Sequence, residues 1–387
     1  MAQGESMTRD INRDVRTKNK TLNQWEQFFN KHSLASYPTH IQFPTGTRCN
    51  LKCRFCTERE GAAGEAYGYK DLSYEEFLST VRLPGWNQAL HSISTIALYG
   101  WGEPLFNPDY SRIFDYLAEH YPWLGISIST NGVLFDKSWS ERFMSLTNAD
   151  INVSINAATG GTYKWLMGND QFDRVVNNMR ILGELRRASK ERSPTVTFSY
   201  VVTTANIREL PQFIDLAADL NVDTVVVQDI MSLSEEAMRL SLANQPYLAR
   251  QMFAAASARA KARRTRLSFV SFETHSENYF PTTAEAGNFD ACPDSGSYAA
   301  TESPVPSPYR LQTDCFDPWE RFMIRVDGEV FPCCRYQSHG DCSLGNIFRQ
   351  SFQEIWDGAP YQTLRRGVNS PHPPPVCAIC PRKSGLD

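Results

Sequence analysis

The sequence predicts an α/β protein: an open, partial (β/α)6 barrel followed by a small C-terminal domain. Two observations carry this. Strand and helix patterns alternate six times between His40 and Val227. Beyond that run, the alternation gives way to a helical bridge, a segment rich in Ala, Gly, Ser and Pro, and a second group of cysteines. Alternation of this kind means a parallel sheet with right-handed crossovers. The expected divisions are an N-terminal extension (1–36), the barrel (37–232), a bridge and linker (233–312) and the C-terminal domain (313–387).

Residues 1–36 are polar, with one amphipathic helix expected over Leu22–Lys31. His40–Phe43 is a short strand leading into a cysteine-bearing loop. A helix follows at Tyr74–Val81, where Ser73 and Glu76 form a capping box and Leu72 with Phe77 a hydrophobic staple. Strands at Ser94–Leu98, Gly125–Ser129, Asp150–Ile155, Thr195–Val202 and Asp223–Val227 alternate with helices at Asp109–Tyr121, Ser138–Leu146, Phe172–Ala188 and Leu210–Leu220. Ser234–Arg266 reads as an Ala-rich helix whose Arg259, Lys261, Arg263, Arg264 and Arg266 form a solvated cationic end. Leu267–Phe272 is a further candidate strand. Thr282–Ser307 reads as a linker or active-site loop. Ile324–Val330 has the form of a hairpin turning at Asp327-Gly328.

Composition bounds the function. Hydrophobic residues at 41% and charged residues at 21% are ordinary for a globular chain. A net charge of −4 gives no nucleic-acid or membrane footprint. The charged N-terminus has no apolar signal region, and no apolar run is long enough for a membrane span. Ten cysteines without a secretion signal point to metal sites in a reducing cytoplasm rather than to disulfides.

The chemistry centres on Cys49, Cys53 and Cys56, spaced C-x3-C-x2-C. Thiolates suit iron–sulfur clusters and zinc. A structural site wants four protein ligands, and no Cys or His follows within thirty residues of Cys56. Three ligands leave one metal position open. After the second strand comes Gly100-Trp101-Gly102-Glu103-Pro104, whose glycines let a backbone approach a ligand and whose Glu103 can accept charge-assisted hydrogen bonds.

The triad, with Phe55 before its last cysteine, and the G-x-G-E-P segment resemble the radical S-adenosylmethionine (radical SAM) superfamily. The resemblance implies a six-stranded, TIM-like partial barrel. It implies a [4Fe–4S] cluster held by Cys49, Cys53 and Cys56, with SAM chelating the fourth iron. An electron from the cluster cleaves SAM, and the 5′-deoxyadenosyl radical takes hydrogen from a substrate carbon. The electron implies an external donor of flavodoxin or ferredoxin type. The resemblance places Phe55, Gly100, Trp101, Gly102, Glu103, Ser129, Asn131, Ser154 and Asn156 beside SAM, although Asn131-Gly132 also reads as a turn pair. Many relatives place an Arg after the fourth strand to hold the SAM carboxylate. This chain has Leu166-Met167-Gly168 there, and Arg174 is the substitute offered.

Cys315, Gly328 and Cys333 resemble the opening of a SPASM domain, and Cys377 with Cys380 completes four cysteines. That set resembles the shorter twitch form, with one auxiliary [4Fe–4S] cluster; a zinc ribbon is the structural alternative. Cys292, Cys334 and Cys342 are left over as spare thiols or hydrogen donors. The expected function is net oxidation of a small polar substrate, such as a sugar or aminocyclitol. Epimerisation with a Cys donor, peptide maturation, and a non-catalytic electron carrier are the alternatives.

Overall fold

The computed structural model describes residues 2–56, 68–189, 193–230, 235–270, 314–339, 342–378 and 380. Helix α1 (Ala2–Phe28) precedes β1 (His40–Phe43). Then come α2 (Tyr74–Val81), α3 (Trp86–Ser92), β2 (Thr95–Leu98), α4 (Tyr110–His120), β3 (Gly125–Thr130), α5 (Lys137–Met144) and β4 (Ala149–Ser154). Helices α6 (Gly160–Met167) and α7 (Phe172–Ala188) lead to β5 (Thr195–Val202), α8 (Leu210–Asp219) and β6 (Thr224–Asp229). Helices α9 (Glu235–Leu240) and α10 (Pro246–Arg263) lead to β7 (Arg266–Val270). The C-terminal part holds α11 (Asp317–Glu320), β8 (Arg321–Ile324), β9 (Val330–Phe331), α12 (Cys334–His339), α13 (Phe352–Trp356), α14 (Ala359–Gly367) and α15 (Pro375–Ala378).

The strands form one sheet in the order β7-β6-β5-β4-β3-β2-β1-β8-β9, parallel from β7 through β8. Strand β9 pairs with β8 antiparallel, in the hairpin the Asp-Gly pair predicts. The six expected barrel strands are present. Two more join them: β7 beside β6, and β8 from the C-terminal part beside β1. The second cysteine-bearing region therefore extends the barrel's own sheet.

One face of the sheet is apolar, with Ile41, Phe43, Ile96, Leu98, Ile126, Ile128, Ile151, Val153, Phe198 and Val225 buried against the helices. The other positions of β3, β4 and β5 carry Ser127, Ser129, Asn152, Ser154 and Ser199. Asn152 donates to Ser129 Oγ at 3.0 Å and accepts from Ser199 Oγ at 2.7 Å, so a polar ladder crosses that second face. Parallel sheets covered on both sides are apolar on both. A polar second face suits a barrel with a wet interior.

Several local expectations change. The first helix runs Ala2–Phe28 and turns polar residues inward. Asn23 donates to Trp319 O at 2.6 Å, Asn19 exchanges hydrogen bonds with the Tyr37 backbone, and the Glu26 carboxylate accepts from Ala35 N and Ser36 N. These side chains close backbone groups at the join of barrel and C-terminal part. The Ala-rich stretch is two helices, divided ahead of Pro246, whose ring fits only a first turn. Two of its cations are paired: Arg259 with Asp215, and Arg263 with Asp219, both on α8. Helices α3 and α6 lie in stretches with no helix expected. The Thr282–Ser307 linker and Cys292 lie outside the described residues.

Candidate active site

The cysteine loop leaves the C-terminal end of β1, where catalytic groups of such barrels gather. Its backbone is held from two sides. From the β2 side, Glu103 N donates to Arg48 O at 2.9 Å. From the α6 side, the carbonyls of Met167 and Leu166 accept from Lys52 N at 3.3 Å and Arg54 N at 2.8 Å. Two glycines permit these approaches. A Cβ on Gly102 would sit 2.5 Å from Arg48 O, and one on Gly168 would sit 2.5 Å from Lys52 O. Both residues also have positive φ, +85° and +71°. Arg54 continues outward, donating to Trp165 O at 2.9 Å and pairing with Glu236 at 2.8 Å.

The thiols face a set of donors. Leu51 N lies 3.5 Å and Asn131 Nδ2 3.8 Å from Cys49 Sγ. Although Cys49 as a residue is exposed, burial of its sulfur pushes the bare thiol up to about 11, with the Leu51 and Asn131 donors opposing the rise. Metal binding must strip that proton, and N–H groups aimed at sulfur favour the thiolate that results. Cys53 Sγ is 3.7 Å from Met167 Sδ. Among the described residues no three His, Cys, Asp or Glu side chains converge closely enough for a single metal ion. Three thiols on one loop, with N–H donors beside them, fit a cluster held at three corners.

Glu103 is buried and starts the short turn Pro104–Phe106. Its carboxylate accepts from Thr130 Oγ1 at 2.6 Å, Asn131 N at 2.7 Å and Leu105 N at 3.3 Å. Burial outweighs these donors and raises its carboxyl to about 7. Two oxygens offer about four acceptor sites, so room for another donor remains. Asn131 bridges the β3 loop to the thiol loop, donating to Asn50 Oδ1 at 2.7 Å. Asn156 takes a left-handed backbone, φ +59°, as the chain leaves β4. Its side chain accepts from Val201 N at 2.6 Å and lies 3.4 Å from Met167 Sδ.

The expected site residues are thus placed unevenly. Glu103, Asn131 and Asn156 meet the cysteine loop directly or through Met167. Gly102 seats the β2 loop on it, and Gly100 lies against Pro44. Trp101 is half-buried in the same loop. Ser129 is taken up in the sheet ladder, and Ser154 is half-buried at the end of β4. Phe55 packs toward Ile230, Ala237 and Leu240. Arg174 is exposed on α7, and its side chain makes no hydrogen bond or ion pair among the described residues. The sequence reading missed Tyr163 and the closeness of Met167 to Cys53. Only the Gly168 that ends α6 hinted that this helix presses on the thiol loop.

The second group lies past β8 and β9. Asn369 holds the Cys315 backbone with bonds of 2.9 and 3.0 Å. Burial raises the thiols of Cys315 and Cys333 to about 12. The charges of Cys377 and Cys380 bear on Cys315, and that of Cys315 on Cys333, so these four thiols belong to one region of the C-terminal part. Cys334 is exposed at the start of α12, and its charge bears on Tyr99, at the end of β2. Cys342 is half-buried against the core.

Residues 43–217 match the Radical SAM superfamily, and residues 315–381 match SPASM, an iron–sulfur cluster-binding domain. The chain thus carries a radical SAM domain and a C-terminal SPASM domain. Its cofactors are a SAM-binding [4Fe–4S] cluster and an auxiliary cluster in the SPASM domain. It is 30% identical over 178 residues to a probable GTP 3′,8-cyclase of Saccharolobus islandicus, covering 46% of this chain and 52% of that protein. It is 29% identical over 119 residues to the mycofactocin maturase MftC of Mycobacterium tuberculosis, covering 31% and 28%. The chain thus spans about half the length, or less, of these curated relatives. In fold it is similar to Streptococcus suis SuiB bound to SAM, with a TM-score of 0.59 and 16% identity over 94% of this chain and 75% of that one. SuiB is also solved with its precursor peptide SuiA. Among the described residues no helix is long and apolar enough to cross a membrane.

Proposed function

We propose that this radical SAM enzyme carries out a net oxidation at a carbon of a peptide substrate. The observation that carries the reading is the second thiol group, joined to the barrel's own sheet through β8. When bound, a reduced cluster with SAM supplies a radical that takes one hydrogen atom from carbon. The residues of this chain then divide the work. Cys49, Cys53 and Cys56 hold the first cluster. Glu103 and the carbonyls of its loop receive the SAM ammonium, and Asn131 and Asn156 fix the walls beside it. Cys315, Cys333, Cys377 and Cys380 would hold a twitch-like second cluster, an acceptor for the electron left on the substrate, while the accompanying proton leaves to solvent.

A peptide is favoured over a sugar or aminocyclitol by the likeness to MftC and to the fold of SuiB. The match to a probable GTP 3′,8-cyclase supports a small polar substrate as the second reading. The experiment is anaerobic incubation with SAM, a one-electron reductant and peptides encoded by genes flanking its own. A peptide two mass units lighter, formed with 5′-deoxyadenosine, is the expected result. Deuterium from the solvent entering an unoxidised product, abolished by Cys334→Ala, would instead mark an epimerase with a thiol donor. Loss of 5′-deoxyadenosine formation from all peptides, with formation restored by a nucleotide or sugar, would return the small-substrate reading.

A further inference from the structure

Tyr163 sits on α6, one turn before Met167, and is fully buried. Its ring packs on Phe172, with centroids 5.8 Å apart. Among the described residues its hydroxyl has no hydrogen-bond partner. An unsatisfied buried hydroxyl is costly, and a Phe in its place would avoid that cost. The helix that carries it runs beside the cysteine loop. The next turn of the helix, at Leu166 and Met167, carries the cysteine loop on its carbonyls, and Met167 Sδ lies 3.7 Å from Cys53 Sγ. The phenol is pushed up first by burial and then by the charges of Cys53, Glu103 and Cys49. Cys53 leads among those charges, and two of the three are cluster thiolates. A phenol O–H is a donor to any sulfur that arrives there.

We propose that the Tyr163 hydroxyl is a hydrogen-bond donor reserved for the sulfur of the SAM-binding cluster, at the Cys53 corner, and that it raises the cluster's reduction potential. The proposal rests on the radical SAM assignment of the Cys49–Cys56 loop. Hydrogen bonds to cluster sulfurs stabilise the reduced, more negative state, and so move its potential upward. The nearest guanidinium, that of Arg54 beside Cys53, is turned outward to Trp165 O and Glu236. A neutral donor at this position makes reduction easier without adding a buried cation.

The test is Tyr163→Phe, compared with the wild type as reconstituted, full-length protein. An anaerobic redox titration follows the reduced-cluster signal that changes on adding SAM, which separates the first cluster from the second. At the wild-type midpoint the variant's ratio of reduced to oxidised cluster should fall about tenfold, which is 59 mV for one electron. Iron content and SAM affinity should stay unchanged, and the metal-free variant should unfold no more easily than the wild type. An unchanged ratio overturns the proposal; if SAM affinity then falls, the hydroxyl serves the SAM carboxylate. A less stable metal-free variant, or one that fails to take up iron, also overturns it, because the hydroxyl would then already have a partner in the fold. A wild type that holds no SAM-sensitive cluster would instead defeat the radical SAM reading beneath it.

Discussion

Glu103 illustrates how a residue that holds the fold can also be tested for the proposed chemistry. Its carboxylate caps a turn and ties the β2 loop to Thr130 and Asn131, and burial raises it to about 7. Glu103→Gln keeps the shape but removes the charge that a SAM ammonium would meet. SAM affinity should weaken by about 1.5–3 kcal/mol, read by equilibrium binding to protein of unchanged iron content. Equal affinity would take Glu103 out of the site. His40, on β1, shows a different burden. Burial, with a smaller effect from Arg321, lowers its imidazole from 6.5 to about 4. In the unfolded chain it takes a proton below about pH 6.5, and in the folded chain only near pH 4. Stability from this group is full above pH 6.5 and is lost as the pH falls toward 4, by up to about 3 kcal/mol. Denaturant unfolding at pH 7 and pH 4.5 should show a fall that shrinks in His40→Gln. An undiminished fall would assign the acid sensitivity to other groups.

At the scale of elements, the loop contacts are tight enough to be tested by one methyl group. Gly102→Ala would place a Cβ 2.5 Å from a backbone oxygen at φ +85°. The expected result is a loss of at least about 2 kcal/mol and reduced iron uptake, read by unfolding and iron assay. Gly161→Ala, with nothing within 4 Å of the added carbon, is the matched control. The same scale explains what could be read in advance. Helix α2 announces itself locally, through a Ser73–Glu76 capping box that is present as expected. Helix α7 is long and amphipathic, and its bounds match the sequence reading. Helix α6 is opaque because its start is fixed from afar. Glu209 accepts from Ala158 N, Thr159 N and the hydroxyls of Thr159 and Thr162. Thr159 is the cap itself, accepting from Thr162 N at 3.4 Å, but the residue that braces it lies about fifty positions away, where no local pattern reveals it. The thiol triad was legible because metal ligation fixes residue type and spacing together. Tyr163 was not, since a buried Tyr at helical spacing looks like core until its hydroxyl is found without a partner among the described residues.

For the whole molecule, the question is how two thiol groups come to share one body. Strand β1 pairs with β2 on one side and with β8 on the other, so the first cysteine loop and the C-terminal hairpin spring from neighbouring strands. Arg365 locks the join. It is fully buried and donates to the carbonyls of Pro318, His32 and Trp356 while lying over the Trp356 and Tyr361 rings. The two thiol groups therefore share one sheet but lie on separate segments, and under the proposed ligation their metal contents should be separable. Reconstituted wild type should hold about eight irons per chain, four for each cubane cluster. Cys49→Ala, Cys53→Ala and Cys56→Ala combined should leave about four irons and abolish reductive cleavage of SAM. Cys315→Ala and Cys333→Ala combined should also leave about four, yet retain SAM cleavage, because the first cluster and the Glu103 loop are intact. Iron and acid-labile sulfide assays, with zinc measured alongside, decide the matter. Four irons and one zinc in the wild type would make the C-terminal group a zinc ribbon, and the electron acceptor would have to be sought outside this chain.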